Sequence, residues 1–324
     1  VVSGAQLRFA TYGFGGVRRV GVEVGGRLVD LGQAYRILFG AEPPGFLLDL
    51  RSLVEVGGRA LRLAELVVGE VVRELESGSR LSEVLLREAV HSPDEVVFYP
   101  PIVNPGKVLC MAVNYWSHAR ETGTEPPEYP YLFVKLPSTL VGHRATVVIP
   151  RGAQRADYEV ELAVVIGRRG KYIRRGEAMD YVFGYTVFND VTIRERQAPL
   201  PRSPRLGLRW VPGKNFDTSA PMGPYLVTKD EVPDPHNLRL GMRVSGEVRQ
   251  EGTTADMVFK IPEIVEAASD GLTLEPGDVI ATGTPAGVGL GTGRYLRHGD
   301  VMEAWVEGVG TLVNPVVFED YLGR

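Results

Sequence analysis

A β-rich α+β fold is expected for this chain, with a small N-terminal α/β unit ahead of a larger, strand-dominated unit. Three features of the sequence support it. Strand-type runs dominate beyond residue 105, helical spacing is concentrated between Phe46 and Leu86, and the later strands do not alternate with helices as a doubly wound sheet requires. Tyr99-Pro100-Pro101 and Asn104-Pro105-Gly106 break regular structure between the two regions, so the units are expected at residues 1–104 and 105–324.

In chain order, Leu7–Tyr12 and Arg19–Val24 read as short strands, and Gly25-Gly26 turns the chain into a third, Arg27–Leu31. Leu61, Ala64, Val68, Val71, Val72 and Leu75 then recur on one helical stripe. Past the break, strands are expected at Val108–Ala112, Leu132–Lys135, Thr146–Ile149, Glu159–Ile166 and Val182–Asn189. Arg239–Val244, Val279–Thr282, Val301–Val306 and Thr311–Val317 complete the set, separated by turn residues such as Glu275-Pro276-Gly277-Asp278 and His298-Gly299-Asp300. Helices are expected at Asn114–Glu121 and Ile261–Ala268; Pro262 falls in the first turn of the latter, where its missing N–H is tolerated.

Composition narrows the partners. The 324 residues carry 36 basic against 40 acidic side chains, a net charge of −4 that argues against nucleic acid and for small molecules or copies of the chain itself. Cys110 is the single cysteine, so neither an internal disulfide nor a thiolate zinc site can form. Leu61–Val72 is interrupted by Arg62, Glu65 and Glu70, and no run is long enough to span a bilayer. No basic-then-apolar leader is present, and a cytoplasmic location is expected; the opening Val1-Val2 suggests that a few native residues are missing. Arginine (30) far outnumbers lysine (6), and Asn and Gln together number 11. Depletion of labile amides favours a thermophilic origin over the alternative, a GC-rich genome.

The sharpest motif is Asp157-Tyr158-Glu159-Val160-Glu161-Leu162. On a strand, Asp157, Glu159 and Glu161 share one face, and the apolar continuation to Ile166 marks the strand as buried. Clustered like charges are costly there unless a cation binds between them. The competing reading is a solvated edge strand. Asp190, closing the run Tyr185–Asp190, supplies a third carboxylate if the two strands are neighbours; taken alone it would be an ordinary helix cap. An oxygen-only donor set suits Mg²⁺, then Mn²⁺ or Ca²⁺, rather than zinc.

His118 and Glu121 stand at i,i+3 on the expected 114–121 helix, close enough to touch. A carboxylate against one imidazole nitrogen makes the other a general base, although an exposed His/Glu pair is more often a surface ion pair. Gly123 stops that helix, and Glu125-Pro126-Pro127-Glu128-Tyr129-Pro130 forms a stiff loop suited to act as a lid. Lys214 in Gly213-Lys214-Asn215 lacks the spacing and the Ser/Thr of a phosphate loop. The glycine-rich run Thr282–Gly291 is weak as a nucleotide fingerprint but fits a turn that brings backbone close to a small anion.

Together, and in this order, several segments resemble the fumarylacetoacetate hydrolase family, in particular its acylpyruvate hydrolase and oxaloacetate decarboxylase branch. They are Val113-Asn114-Tyr115-x-x-His118-x-x-Glu121, Tyr131-Leu132-Phe133-Val134-Lys135, Tyr158–Gly167, Gly184–Gln197, Gly213-Lys214-Asn215-Phe216 and Thr282–Gly289, spanning about Lys107 to Val317. The resemblance implies a mixed β-roll, commonly dimeric, behind a small variable N-terminal domain. It implies Mg²⁺ on Glu159, Glu161 and Asp190, a general-base pair of His118 and Glu121, and an oxo-acid end held by Lys214, Arg194, Gln197 and Thr284. Long members carry a fourth acidic ligand where this chain reads Met111-Ala112-Val113-Asn114, so water is expected to complete the shell. The Pro- and Arg-rich stretch from Ala198 to Arg209 has no counterpart in the familiar pattern and is a candidate to alter substrate choice. The implied function is Mg²⁺-dependent hydrolysis of a C–C bond in a 2,4-dioxo carboxylic acid through a stabilised enolate. Alternatives are dehydration of a 2-keto-3-deoxy sugar acid, decarboxylation or isomerisation of a catechol-pathway 2-oxo diacid, and a non-catalytic carboxylate- or metal-binding role.

Overall fold

The computed structural model describes residues 7–322; the opening Val1-Val2 lies outside them. Ten strands run across one sheet in the order Val90–His91, Arg27–Asp30, Val17–Val24, Arg8–Phe14, Ala220–Thr228, Val182–Asn189, Val160–Ile166, Val279–Ala281, Val108–Met111, Leu132–Lys135. Short strands Val97–Phe98 and Leu140–Val141 attach to Arg8–Phe14 and Ala220–Thr228. A second sheet orders Glu247–Thr253, Arg239–Val244, Val301–Val306, Gly310–Phe318 and Val147–Ile149. This is the expected sheet-rich α+β architecture. No helix among the described residues is long and apolar enough to cross a membrane.

Strand Val160–Ile166 is buried at every position, as its apolar run demands. Val160, Leu162, Val164 and Ile166 join the core shared with Met242, Ala304 and Leu312 of the second sheet. Ala163 and Val165 face the other way, into a core shared with Leu53, Ala64 and Val68 of the N-terminal helices. Those helices are Leu31–Phe39, Leu50–Val56, Gly58–Ser77 and Arg80–Glu88. Asp30, Asp49 and Ser79 cap three of them by accepting a backbone N–H, which satisfies donors the first turn leaves free. On the expected stripe, Ala64, Val68 and Val71 are buried, while Leu61, Val72 and Leu75 pack at its margin.

Among the longer elements, two strands and one helix depart from expectation. Ala220–Thr228 holds Pro221, Gly223 and Pro224, residues that argue against a central strand, yet it lies between Arg8–Phe14 and Val182–Asn189. A register shift between Tyr185 and Val187 falls opposite Pro224, which cannot donate a ladder bond, and Pro221 lies beyond it against Val141. Through Arg8↔Val227 and Phe9↔Leu226, this strand ties the N-terminal strands to the rest of the sheet. Glu247–Thr253 is too polar, and Leu31–Phe39 too short, to stand out by periodicity.

Candidate active site

Glu159 and Glu161 flank the start of the central strand, and Asp190 follows the last residue of its antiparallel neighbour, Val182–Asn189. Register Val160↔Asn189 sets the three carboxylates side by side. The Asp190 N–H donates to the Glu159 carbonyl at 2.9 Å, which locks the junction. One oxygen from each of the three carboxylates lies within 4.8 Å of the others, and all three residues are buried.

Cations surround this cluster. Lys214 Nζ donates to Glu159 Oε2 and Asp190 Oδ2, both at 2.7 Å. Arg194 donates from Nη2 to Glu159 Oε1 at 2.5 Å and from Nε to Asp157 Oδ2 at 2.7 Å, and Nη1 reaches Gln197 Oε1 at 3.2 Å. From beneath, Lys135 Nζ donates to Asp190 Oδ1 at 2.7 Å, the Ser219 carbonyl at 2.8 Å and the Val191 carbonyl at 3.2 Å. Burial pushes the Glu159 carboxyl up, but Lys214 and Arg194 outweigh it and hold the group well below its usual range. Burial and then Asp190 and Glu159 push Glu161 well above its ordinary value. Among the described residues Glu161 has no ion-pair partner; the Gly283 N–H donates to its Oε2 at 2.7 Å.

A divalent cation fits this donor set. Glu161 is a buried carboxylate without a balancing charge, and Glu159 and Asp190 present oxygens beside it with lone pairs beyond those their lysine and arginine partners use. The Gly283 contact answers what the glycine-rich run does: its backbone approaches a small anion, and the anion is the protein's own carboxylate. Gly283 has φ +96°, and a Cβ there would lie 2.8 Å from that of Asn114, so a side chain is excluded.

His118 lies on helix Trp116–Thr122, shorter at its start than expected because Asn114 bonds Phe259 and Thr282 instead of beginning the helix. The ring is buried, its Nδ1 has no hydrogen-bond partner, and burial lowers its pKa, favouring the neutral form. The structure does not pair it with Glu121. That carboxylate instead accepts the Gly287 N–H, at 2.9 Å to Oε1 and 3.0 Å to Oε2. Thr284 receives a bond from Gln250 Nε2 at 2.9 Å.

His118, Glu159, Glu161, Arg194, Gln197, Lys214 and Thr284 all line one cavity of about 230 Å³; Asp190 lies behind Lys214, and Glu121 beside the wall. That volume is below the ~300–1,000 Å³ of sites for drug-sized ligands and suits a small acid. Sequence reasoning missed Lys135 as a part of the site, because it ends a strand, where a lysine is ordinarily solvated. It missed Asp157 as an anchor: its carboxylate bonds Arg194 and accepts the N–H groups of Gly289 at 2.6 Å and Leu290 at 2.9 Å. Gln250, which links Val160, Thr284 and Pro285, belongs to a polar strand that gave no signal.

Known proteins resemble this chain in sequence and in fold. Residues 107–317 match the family model described as fumarylacetoacetate (FAA) hydrolase, C-terminal. An uncharacterized protein of Pyrococcus abyssi is 51% identical over 218 residues, covering 67% of this chain and 93% of that protein. Human mitochondrial oxaloacetate tautomerase FAHD2A is 45% identical over 225 residues, 69% of this chain and 70% of the relative. The crystal structure of maleylpyruvate hydrolase from Sphingobium sp. SYK-6 with manganese(II) and pyruvate superposes with a TM-score of 0.70 at 29% identity, over 96% of this chain and 99% of that one. Hydrolases, tautomerases and isomerases are thus all among its kin. With the match covering nearly all of its strand-dominated region, the chain belongs to the fumarylacetoacetate hydrolase family.

Proposed function

We propose that this enzyme acts on 2-oxo acids through their enolates, depends on a divalent cation, and hydrolyses the C3–C4 bond of a 2,4-dioxo (acylpyruvate-type) carboxylic acid. The observation that carries the reading is a buried imidazole, His118, whose Nδ1 has no hydrogen-bond partner, on the same small cavity as a three-carboxylate cluster and two cations. Glu159, Glu161 and Asp190 would hold the cation, Mg²⁺ first and Mn²⁺ or Ca²⁺ as alternatives for an oxygen-only set. Bound there, it supplies Lewis acidity and a template for adjacent substrate oxygens.

The chain's own groups account for the rest. Arg194 and Gln197 hold the C1 carboxylate, and Thr284, fixed by Gln250, borders the oxo end. His118 takes a proton from water as its oxygen adds to the C4 carbonyl. The C3–C4 bond then breaks, releasing the acyl group as a carboxylic acid and leaving its electron pair on pyruvate as the enolate. Lys214 places an ammonium where that negative oxygen develops. A proton then returns to C3, and the products are pyruvate and the acid. Glu121 orients His118 in this scheme once it leaves Gly287.

A second reading, keto–enol isomerisation of a 2-oxo acid, is favoured by the Glu121–Gly287 contact, because proton transfer at C3 needs one base and no activated water. Assaying acetylpyruvate and oxaloacetate with Mg²⁺, with Mn²⁺ and with chelator separates the two. Release of acetate and pyruvate that chelator abolishes is the expected result. Ketonisation of the enol without cleavage of acetylpyruvate would establish the second reading instead. The family resemblance further leads us to propose a homodimer, a cytoplasmic location and a small variable N-terminal domain at residues 1–104, testable by sedimentation and truncation.

A further inference from the structure

We infer that the segment leading to Lys214 selects the substrate's tail, and that the acid taken by this site carries an uncharged, apolar group beyond C4. The inference rests on the 2-oxo-acid reading above and narrows its substrate class. Met111, Val113, Phe133, Leu208, Trp210 and Leu290 form the apolar part of the cavity lining, with Lys214 Nζ 5.2 Å from the centroid of the Phe133 ring. Trp210 stacks on Phe133 with ring centroids 4.4 Å apart and planes 13° from parallel, so its indole is held flat rather than free to swing. Leu208 is 44% exposed, at the edge of the opening.

Arg209, between those two residues, fixes them to the anchoring end of the site. Its Nε donates to the Ala198 carbonyl at 2.7 Å, its Nη2 to the Glu195 carbonyl at 3.0 Å, and its backbone N–H to the Gln197 carbonyl at 2.8 Å. Helix Arg194–Gln197 carries both side chains assigned to the C1 carboxylate. One rigid piece therefore presents the carboxylate anchor and the apolar wall at a set distance, which is the arrangement for measuring a tail.

The cationic side chains lining the cavity, Arg194 and Lys214, already face Asp157, Glu159 and Asp190. With Arg194 on the C1 carboxylate and Lys214 on the developing enolate, neither is left for a charge at the tail. A second carboxylate, at the tail, would meet hydrocarbon, the exposed Thr124 and the Thr122 hydroxyl, which already donates to the His118 carbonyl at 2.9 Å, and no cation other than Lys214. A carboxylate drawn against the buried part of that lining, Phe133 and Met111, loses water without gaining a partner, which is unfavourable. This separates the enzyme from relatives named for oxaloacetate and maleylpyruvate, which are diacids.

The experiment measures kcat/KM of the Mg²⁺-loaded enzyme for acetylpyruvate, longer straight-chain acylpyruvates and a 2,4-dioxo diacid of matched length. Neutral acids are expected to exceed the diacid by roughly tenfold or more, with KM falling about fourfold for each methylene that reaches the wall. Leu208→Arg supplies the missing cation at an exposed position and is expected to cut that preference about tenfold, while Leu208→Glu sharpens it. A wild-type preference for the diacid, or a preference that neither substitution moves, overturns the inference and leaves the 2-oxo-acid reading standing. Failure to turn over any of these acids overturns both.

Discussion

Lys135→Met is the substitution whose cost the structure specifies most closely. The lysine side chain is fully buried, and its ammonium donates to Asp190 Oδ1, the Ser219 carbonyl and the Val191 carbonyl. Methionine keeps much of the stem's volume, so little of the penalty is a cavity. What is lost is charge: Asp190 keeps Lys214 on Oδ2 but nothing on Oδ1, and two buried carbonyls lose a donor. Removing one partner of a buried ion pair costs about 3–5 kcal/mol, a fifth or more of the ~5–15 kcal/mol that holds a typical domain together. Guanidinium unfolding in the presence of chelator measures it, and pairing the change with Asp190→Asn completes a double-mutant cycle. Because the amide leaves no charge stranded, the coupling is expected at about 1–3 kcal/mol. A loss below ~1 kcal/mol, or a coupling within ~0.5 kcal/mol of zero, would refute the claim that Lys135 holds the Asp190 carboxylate in place.

Three further expectations follow from the same geometry. Glu161→Gln removes a carboxylate that has no cationic partner, so calorimetry should find Mn²⁺ binding weakened at least tenfold while metal-free stability holds or rises; normal affinity would remove Glu161 from the metal site. His118→Ala should lower acylpyruvate cleavage roughly 10²–10⁴-fold, the usual contribution of a positioned base, with Glu121→Gln costing less; hydrolysis that survives the first change rules out water activation by His118. The base must be neutral to work, and burial lowers the His118 pKa from 6.5, so the acid limb of kcat/KM should fall below that value, activity being present above the lowered pKa and lost as pH drops through it; a limb above 6.5 contradicts the assignment.

Much of the candidate site was legible before any coordinates. Glu159 and Glu161 stand out because strands disfavour glutamate and the residues around them are apolar, a combination with few explanations other than a bound cation. Asp190 came from the end of the neighbouring apolar run, and register Val160↔Asn189 delivered it. Lys135 was not found, since one lysine at the end of a strand looks like a solvated terminus; its burial depends on Ser219 and Val191, which are distant in sequence. The His118–Glu121 contact was expected from i,i+3 spacing, but helical spacing only makes a contact available. The Gly287 N–H, brought over that helix by the glycine-rich turn, competes for the same carboxylate and takes it.

By itself, the sequence determined the elements with strong periodicity, the Glu159 and Glu161 pair on one strand face, and the motifs that carry the family resemblance. These depend on residue type and spacing along one strand or helix, where side-chain direction follows from backbone geometry alone. Tertiary structure decided what needs two distant segments at once. It set Ala220–Thr228 in the middle of a sheet despite its prolines, because the pairing strands on both sides outweigh local propensity. It matched each acid to its cation, so that Glu159 and Asp190 are compensated and Glu161 is not. It also turned the unfamiliar stretch before Lys214 into a wall of the cavity, through three bonds that Arg209 makes to backbone eleven to fourteen residues away. Charge balance and cavity shape are sums over neighbours in space, and a linear chain does not list those neighbours.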